Sequence, residues 1–142
     1  MLDCLVFYSD GGARGNPGPA AIAFLAVTKT GQVIKSDSAF IGAATNNQAE
    51  YRALIAALEF AKSIKVKEVV CHLDSELVGK QLKGEYTVKN PELKKLWLKS
   101  RELCACFKKI SFVNVPRSNP YISKADTLVN EALDAEGRKT LT

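Results

Sequence analysis

The sequence has no hydrophobic run long enough to cross a membrane. The longest run, Ala20–Val27, has eight residues, whereas a membrane-spanning helix needs about 20. The N-terminus carries Asp3 and lacks the basic segment of a secretory signal. With nine glycines and five prolines in 142 residues, low-complexity disorder and collagen-like structure are excluded. We therefore expect one domain over residues 1–142, with a core at about 3–136, in the cytoplasm and with no membrane partner.

Cysteine and histidine are too few for the usual zinc or nucleophile motifs. The only histidine, His72, lies in an apolar segment, and we interpret it as a sheet residue. The glycine-rich stretch 11–18 contains neither G-K-[ST] nor G-x-G-x-x-G, so we expect no small-molecule nucleotide cofactor. The cysteines lack C-x-x-C spacing, and we interpret them as reduced, mostly buried thiols. They are Cys4, Cys71, Cys104 and Cys106.

Positive charge is concentrated in one part of the chain. The net charge is +5, but residues 80–109 contain nine Lys/Arg and three acidic residues, and the other 112 residues sum to −1. Such a basic flank suits a polyanion such as nucleic acid. The alternative interpretation is a solvated, lysine-rich helix, and charge alone does not decide between the two.

Hydrophobic periodicity predicts five strands and four helices in the order β-β-β-α-β-α-α-β-α. We expect the first three strands to form an antiparallel meander and the first, fourth and fifth to be parallel. A loop is predicted over Gly11–Pro19. The predicted strands are Leu2–Asp10, Ala20–Val27, Gln32–Phe40, Glu68–Leu73 and Ile110–Val115. The predicted helices start after a capping box of Thr45 and Gln48, span Ser75–Lys83, start at Pro91, and span Ser123–Glu136 before a fraying tail at 137–142.

Four acidic residues fall near the ends of these elements. Asp10 closes the first predicted strand and Asp74 follows the fourth. If the two strands are parallel neighbours, both carboxylates meet at the edge where open α/β sheets place their sites. Glu50 and Asp126 lie early in predicted helices that can aim their first turns at the same edge.

Each acid also has a purely structural interpretation. Asp10 before two glycines suits an Asx turn, and Asp74 before a helix suits an N-cap. Glu50 suits the helix dipole, and Asp126, three residues after Ser123, suits a capping box. Together, however, four carboxylates at one edge need compensation, for which Mg²⁺ is the natural ion. Two such ions about 4 Å apart serve phosphodiester hydrolysis.

Four motifs follow one another along the chain: D-G-G-A-R-G-N-P-G-P at 10–19, T-N-N-Q-A-E at 45–50, L-D-S-E-L-V at 73–78 and A-D-T-L-V-N at 125–130. Together they resemble type 1 ribonuclease H, and the short archaeal and bacterial branch is the most similar. The resemblance covers residues 3–135 in order and spacing. It implies an α/β ribonuclease H-like fold with a mixed five-stranded sheet of order 3-2-1-4-5 flanked by helices. It also implies hydrolysis of the RNA strand of RNA–DNA hybrids.

The resemblance also implies roles for particular residues. By motif position, the catalytic and metal-binding carboxylates are Asp10, Glu50, Asp74 and Asp126, holding two Mg²⁺ or Mn²⁺ ions in the substrate complex. Asn16, Asn46 and Asn47 fall where the family contacts the minor groove and the RNA 2′-hydroxyls, and Thr45 where it grips a DNA-strand phosphate. To these substrate contacts we add Gly11 and, from the basic flank, Lys94, Lys95 and Lys99.

One departure from the family concerns product release. Many relatives carry a loop histidine shortly before the last aspartate, and the stretch 117–125 has none. Arg117 and Lys124 are the candidates to replace it. We expect a monomeric enzyme. The alternative from another functional class is a catalytically silent nucleic-acid-binding module on the same fold.

Overall fold

The computed structural model describes residues 3–140. Within them, five strands form one mixed sheet of order β3-β2-β1-β4-β5, and helices flank it, as predicted. The strands are β1 (Cys4–Ala13), β2 (Gly18–Val27), β3 (Val33–Ala44), β4 (Glu68–Leu73) and β5 (Lys109–Asn114). The helices are α1 (Asn46–Ser63), α2 (Glu76–Leu82), α3 (Pro91–Cys104) and α4 (Pro120–Thr140).

The first strand is longer than predicted, and the predicted loop over Gly11–Pro19 is correspondingly wrong at both ends. β1 continues through its glycines to Ala13, because Gly11 and Gly12 pair with β2 in the antiparallel ladder. A glycine is accepted in a strand where another part of the backbone approaches closely. Leu2, which the prediction included, lies outside the described residues.

The third strand also extends beyond its prediction. It starts at Val33 and pairs with β2 as far as Ala44, after a bulge at Ala20/Ala21. Its residues are mostly exposed, as suits an edge strand. The antiparallel meander of β1, β2 and β3 is as predicted.

The parallel part of the sheet is also as predicted. β4 pairs with β1 on one side and with β5 on the other, both in parallel. The β4 bounds agree with the prediction, and β5 is displaced by one residue toward the N-terminus. The carboxyl ends of these three strands therefore lie at one edge of the sheet.

Side chains define the starts of the first three helices. The Thr45 hydroxyl accepts from the Gln48 backbone N–H and the Gln48 side chain accepts from the Thr45 backbone N–H, which confirms the predicted capping box of α1. Ser75 caps α2, and Asn90 caps α3 ahead of Pro91. Because the α1 cap is fixed by local residues, the orientation of its first turns is fixed as well.

The last helix is longer than predicted at both ends. Asn119 Oδ1 accepts from the backbone N–H groups of Tyr121 and Ile122, so α4 begins one turn earlier than Ser123. Its carboxyl end continues through Gly137 to Thr140, so the predicted fraying is wrong for 137–140. Residues 141–142 lie outside the described chain.

The hydrophobic core is asymmetric across the sheet. The larger cluster lies between the sheet and α1, α2 and α3 and includes Phe7, Tyr51 and Leu58. On the other face, small residues such as Ala21 and Ala23 pack against α4. Short side chains there let α4 approach the sheet closely. No helix within residues 3–140 is both long enough and apolar enough to cross a membrane.

The cysteines and the histidine mostly occupy ordinary sheet and core positions. All four cysteines are free thiols; Cys71 and Cys104 are buried and Cys106 is exposed. Burial raises the pKa of the Cys71 thiol. His72 lies in β4 with its ring stacked on Tyr8 at 4.6 Å, and burial lowers its pKa. His72 is therefore a sheet residue, as expected.

Candidate active site

Four elements bring the predicted carboxylates to one cleft of about 360 Å³. Asp10 lies in β1, Glu50 in α1, Asp74 directly after β4, and Asp126 in α4. Carboxylate oxygens of Asp10, Glu50 and Asp74 lie within 4.8 Å of one another. Asp10 and Glu50 are only 3% and 8% exposed. The arrangement buries two of the four acidic side chains and leaves Asp74 and Asp126 partly exposed.

The structural alternatives for Asp10 and Asp74 do not describe their positions. Asp10 is inside a strand and pairs with Ala23, so it is not in an Asx turn and does not close the strand. The N-cap of α2 is Ser75, whose hydroxyl accepts from the Val78 backbone. Asp74 therefore makes no cap and is available to the cleft.

The alternatives for the two helical acids also fail. Glu50 lies beyond the first turn of α1, which contains no acidic residue, so it is poorly placed to complement the helix dipole. Asp126 lies in the second turn of α4 because that helix begins at Pro120. It therefore cannot be the N3 residue of a capping box.

Gly11 explains how Glu50 reaches the β1 carboxylate. A Cβ atom at Gly11 would collide with the backbone carbonyl of Ala49, so only glycine lets α1 pack this closely on β1. The Gly11 N–H donates to Glu50 Oε1 at 3.3 Å. Gly11 therefore lines the cleft and orients an acidic side chain there, while its predicted contact with the substrate stays a prediction.

The electrostatics of the cleft favour a cation. Burial, together with the charges of Asp74 and Asp126, raises the pKa of Asp10 from 3.8 to about 7. Burial and the charge of Asp10 raise the pKa of Glu50. The buried Glu50 Oε2 has no hydrogen-bond partner within the described chain. A buried acceptor without a donor is costly, and hard cations prefer carboxylate oxygens, so the donor set fits a divalent ion.

The two candidates for the missing loop histidine are placed very differently. Arg117 lines the cleft, and its Nη2 donates to Asp126 Oδ1 at 2.9 Å. This bond raises the pKa of Arg117. Lys124 is exposed on α4 and does not line the cleft. The geometry therefore favours Arg117 over Lys124 for any role at the carboxylates.

The predicted substrate contacts form one connected rim. Asn46 Oδ1 accepts from the Ala13 backbone at 2.9 Å, and the Asn46 backbone donates to Asn16 Oδ1 at 3.0 Å. Asn47 lines the cleft, and Thr45 caps the same helix. Because Asn16 and Asn46 use their oxygens within the protein, each keeps its NH₂ group for an outside acceptor.

Two further residues of the cleft are not singled out by the sequence pattern. Arg14 forms an ion pair with Asp134 at 2.7 Å. Asn130 Nδ2 donates to the backbone carbonyl of Asp126 at 3.1 Å. Both residues line the cleft. Arg14 lies within the motif at 10–19 and Asn130 within that at 125–130, and this position in the motifs is the only signal that the sequence carries for them.

The lysines of the basic flank lie outside this cleft. Lys94, Lys95 and Lys99 are exposed on α3, and Lys95 pairs with Glu92 at 3.3 Å. Lys95 also lines a separate groove with Gln48, the residue that caps α1 together with Thr45. Lys95 therefore lies beside the start of α1, and none of the three lysines lines the carboxylate cleft.

The chain is similar to a protein family and to several curated proteins. A family profile described as "Reverse transcriptase-like" matches residues 8–132. A ribonuclease HI of Halobacterium salinarum is 45% identical over 127 residues, which are 89% of this chain and 63% of that protein. A bifunctional protein of Mycobacterium tuberculosis is 42% identical over 133 residues, 92% of this chain and 36% of that protein. The chain thus spans less than two thirds of these curated relatives.

Solved structures agree with these relatives. The crystal structure of RNase H1 from Halobacterium salinarum has a TM-score of 0.89 and 43% identity, covering 93% of this chain and 98% of that one. LC11-RNase H1 in complex with an RNA/DNA hybrid has a TM-score of 0.86 and 41% identity, covering 97% and 99%. With its motifs, sheet order and carboxylate cleft, the chain belongs to the type 1 ribonuclease H family.

Proposed function

We propose that this protein is a metal-dependent endonuclease that hydrolyses the RNA strand of RNA–DNA hybrids. The observation that carries the proposal is a buried Glu50 oxygen that has no hydrogen-bond partner among residues 3–140 and lies among carboxylate oxygens of Asp10 and Asp74. Such a donor set suits a divalent cation, and similarity to an RNase H1 crystallised with a hybrid suggests the substrate.

The four carboxylates would hold two Mg²⁺ or Mn²⁺ ions when substrate is bound. The chemistry that such ions would supply at these carboxylates is activation of the attacking water and stabilisation of the leaving 3′ oxygen, and the products would be a 5′-phosphate and a 3′-hydroxyl. Asp10 and Glu50 come from β1 and α1, which pack directly on one another, and Gly11 lies at their contact. Because one chain carries all four acids, we propose a monomer.

The asparagine rim supports recognition of RNA. Asn16, Asn46 and Asn47 lie beside the cleft, and the NH₂ groups of the first two are left to donate to acceptors outside the protein. A ribose 2′-hydroxyl is the acceptor that distinguishes RNA from DNA. Thr45 caps the positive end of α1, which supports a contact with a phosphate of the DNA strand.

Arg117 is the proposed aid to product release. Its guanidinium already binds the Asp126 carboxylate, so it can neutralise that acid and attract a freed 5′-phosphate. Lys124 is not assigned this role, because it lies outside the cleft. Replacement of Arg117 by alanine should therefore affect turnover more than hybrid binding.

A cleavage assay with matched duplexes tests the proposal. Labelled RNA–DNA hybrid, DNA duplex and RNA duplex are incubated with Mg²⁺, with Mn²⁺ and with EDTA. We expect cleavage of the hybrid's RNA strand only with metal, and an intact DNA duplex. Equal cleavage of hybrid and DNA would reject recognition through the 2′-hydroxyl. Binding without any cleavage would instead support the silent binding module.

A further inference from the structure

One side chain from the neighbouring strand hydrogen-bonds the turn that carries Asp74. Asn114 ends β5 and pairs with Leu73 in the parallel ladder. Its Nδ2 donates to the carbonyl oxygen of Ser75 at 2.9 Å and to that of Leu73 at 3.3 Å. The same two carbonyl groups of the turn also accept from backbone N–H groups, that of Leu73 from Val115 and that of Ser75 from Gly79, both at 3.0 Å. These two carbonyl groups lie on either side of Asp74. One amide therefore binds the backbone both before and after the acid.

The Asp74 side chain has no comparable support of its own. Within residues 3–140, its carboxylate forms no hydrogen bond or ion pair, and the charge of Arg117 attracts it without direct contact. Carboxylate oxygens of Asp10 and Glu50 lie within 4.8 Å of it. Like charges at that distance repel one another. The position of Asp74 is consequently set by its backbone, and Asn114 restrains that backbone.

We propose that Asn114 is a positioning residue of the metal site, fixing the 73–75 turn so that Asp74 meets the other carboxylates. The inference rests on the proposed function and adds a residue that does not line the carboxylate cleft. Groups that orient metal ligands commonly change metal affinity by about 10–100-fold when replaced. The effect of Asn114 should therefore be felt in metal binding more than in hybrid binding.

A glycine in α2 shows how tightly this amide is packed. A Cβ atom at Gly79 would collide with the Asn114 side-chain amide. Glycine inside a helix is unfavourable relative to alanine, so the close approach to Asn114 accounts for it. Gly79→Ala in α2 therefore displaces the Asn114 amide without changing Asn114 itself.

Two variants and two matched controls test the proposal. Asn114→Asp keeps the shape, removes the N–H donors and adds a negative charge, which by itself would attract a cation and so opposes the expected loss of affinity. Gly79→Ala adds the colliding carbon without a change of charge. Asn90→Asp makes the same chemical change at the α3 N-cap, where aspartate also caps. Gly137→Ala makes the other change in α4, where a Cβ meets nothing within 4 Å.

The main measurement is made without substrate. Thermal melts across a Mn²⁺ or Mg²⁺ titration give the metal concentration at half-maximal stabilisation. We expect this midpoint to rise by about 10-fold or more in Asn114→Asp and Gly79→Ala, and to stay unchanged in both controls. In kinetics, kcat at limiting metal should fall, KM for the hybrid should not change, and excess metal should restore part of kcat.

Specific results would overturn the proposal. A folded Asn114→Asp protein with the wild-type metal midpoint would do so, as would an equal shift in the controls. If Asn114→Asp fails to fold, Gly79→Ala decides by the same criterion. Absence of metal-dependent cleavage by the wild-type protein would instead reject the proposed function. The metal midpoint measured without substrate would still test whether Asn114 positions the metal site.

Discussion

Asp10 lies in an environment that disfavours its negative charge. It is buried, and its neighbours include the carboxylates of Glu50 and Asp74. Burial and neighbouring charge raise its pKa from 3.8 to about 7. Near neutral pH, the metal-free protein must therefore hold a carboxylate that would be more stable in water. This stored repulsion is what a bound cation would relieve.

Replacing Asp10 by asparagine should separate stability from activity. Asp10→Asn removes one charge and keeps the shape, so we expect cleavage to be lost. The metal-free stability should rise by about 1 kcal/mol, a Coulomb interaction at about 4 Å discounted for solvent and partial protonation. With Mg²⁺ present the gain should shrink, because metal stabilises the wild type by mass action. Thermal melts in EDTA and in Mg²⁺ measure both effects.

The same substitution has a defined pH dependence. An acid whose pKa is higher in the folded protein than in the unfolded chain makes stability fall as pH rises between the two values. For Asp10 that window runs from about 4 to about 7. The advantage of Asp10→Asn in EDTA should therefore vanish near the lower limit and be complete above the upper one. A mutant less stable than wild type at high pH would contradict the clustered-carboxylate interpretation.

At the scale of elements, the contact between α1 and β1 determines whether a site can exist. The carbonyl of Ala49 lies where a side chain at Gly11 would begin, and the Gly11 N–H binds Glu50. A displacement of the helix away from the strand would thus carry Glu50 away from Asp10. The geometry of the cleft therefore depends on the absence of a side chain at Gly11.

Gly11→Ala should therefore lower both stability and metal affinity. Overpacking of this kind costs about 1–3 kcal/mol, measurable by denaturant unfolding. The neighbouring Gly12→Ala is a matched control for stability, because its Cβ would lie 3.9 Å from a Val129 methyl group, an ordinary contact. Equal losses in the two variants would show that backbone flexibility, rather than the helix contact, explains the effect.

Local sequence predicted those elements whose ends are fixed by local residues. The α1 capping box involves residues three apart, and the β4 bounds needed only the apolar run itself. Two other ends were missed because other contacts decided them. β1 continues through Gly11 because β2 pairs with it. α4 begins at Pro120 because Asn119 caps it, whereas Ser123 and Asp126 only resemble a capping box.

The site was predictable only as far as strand order determines it. Parallel neighbouring strands bring Asp10 and Asp74 to one edge whatever the loops do. The sequence could not choose between Arg117 and Lys124, because the choice depends on the path of the loop before α4. Nor did it reveal Asn114, whose contacts with the Asp74 turn arise from the β4–β5 register.

In the whole molecule, the acidic residues suited to the chemistry and the basic residues suited to attract the substrate lie in different places. The protein has a net charge of +5, yet its cleft contains four carboxylates. On the exposed side of α3, Lys95 lines a groove together with Gln48, which caps α1 with Thr45. Phosphate contacts position a duplex without reading its sequence. The basic flank is therefore suited to hold a nucleic acid whose scissile bond lies elsewhere.

The basic flank can be tested against lysines of equal number at the opposite end of the molecule. We expect replacement of Lys94, Lys95 and Lys99 by glutamine to raise KM for the hybrid far more than it lowers kcat. The slope of log K against log salt should shrink by up to about 0.9 for each phosphate interaction that the substitutions remove.

The control replaces Lys62, Lys65 and Lys67, which line a groove beyond the carboxyl end of α1 and before β4. Because both triple variants change the net charge equally, a larger effect in the α3 variant identifies phosphate contacts. Equal effects would mean that the α3 lysines act only through overall charge and form a solvated helix face.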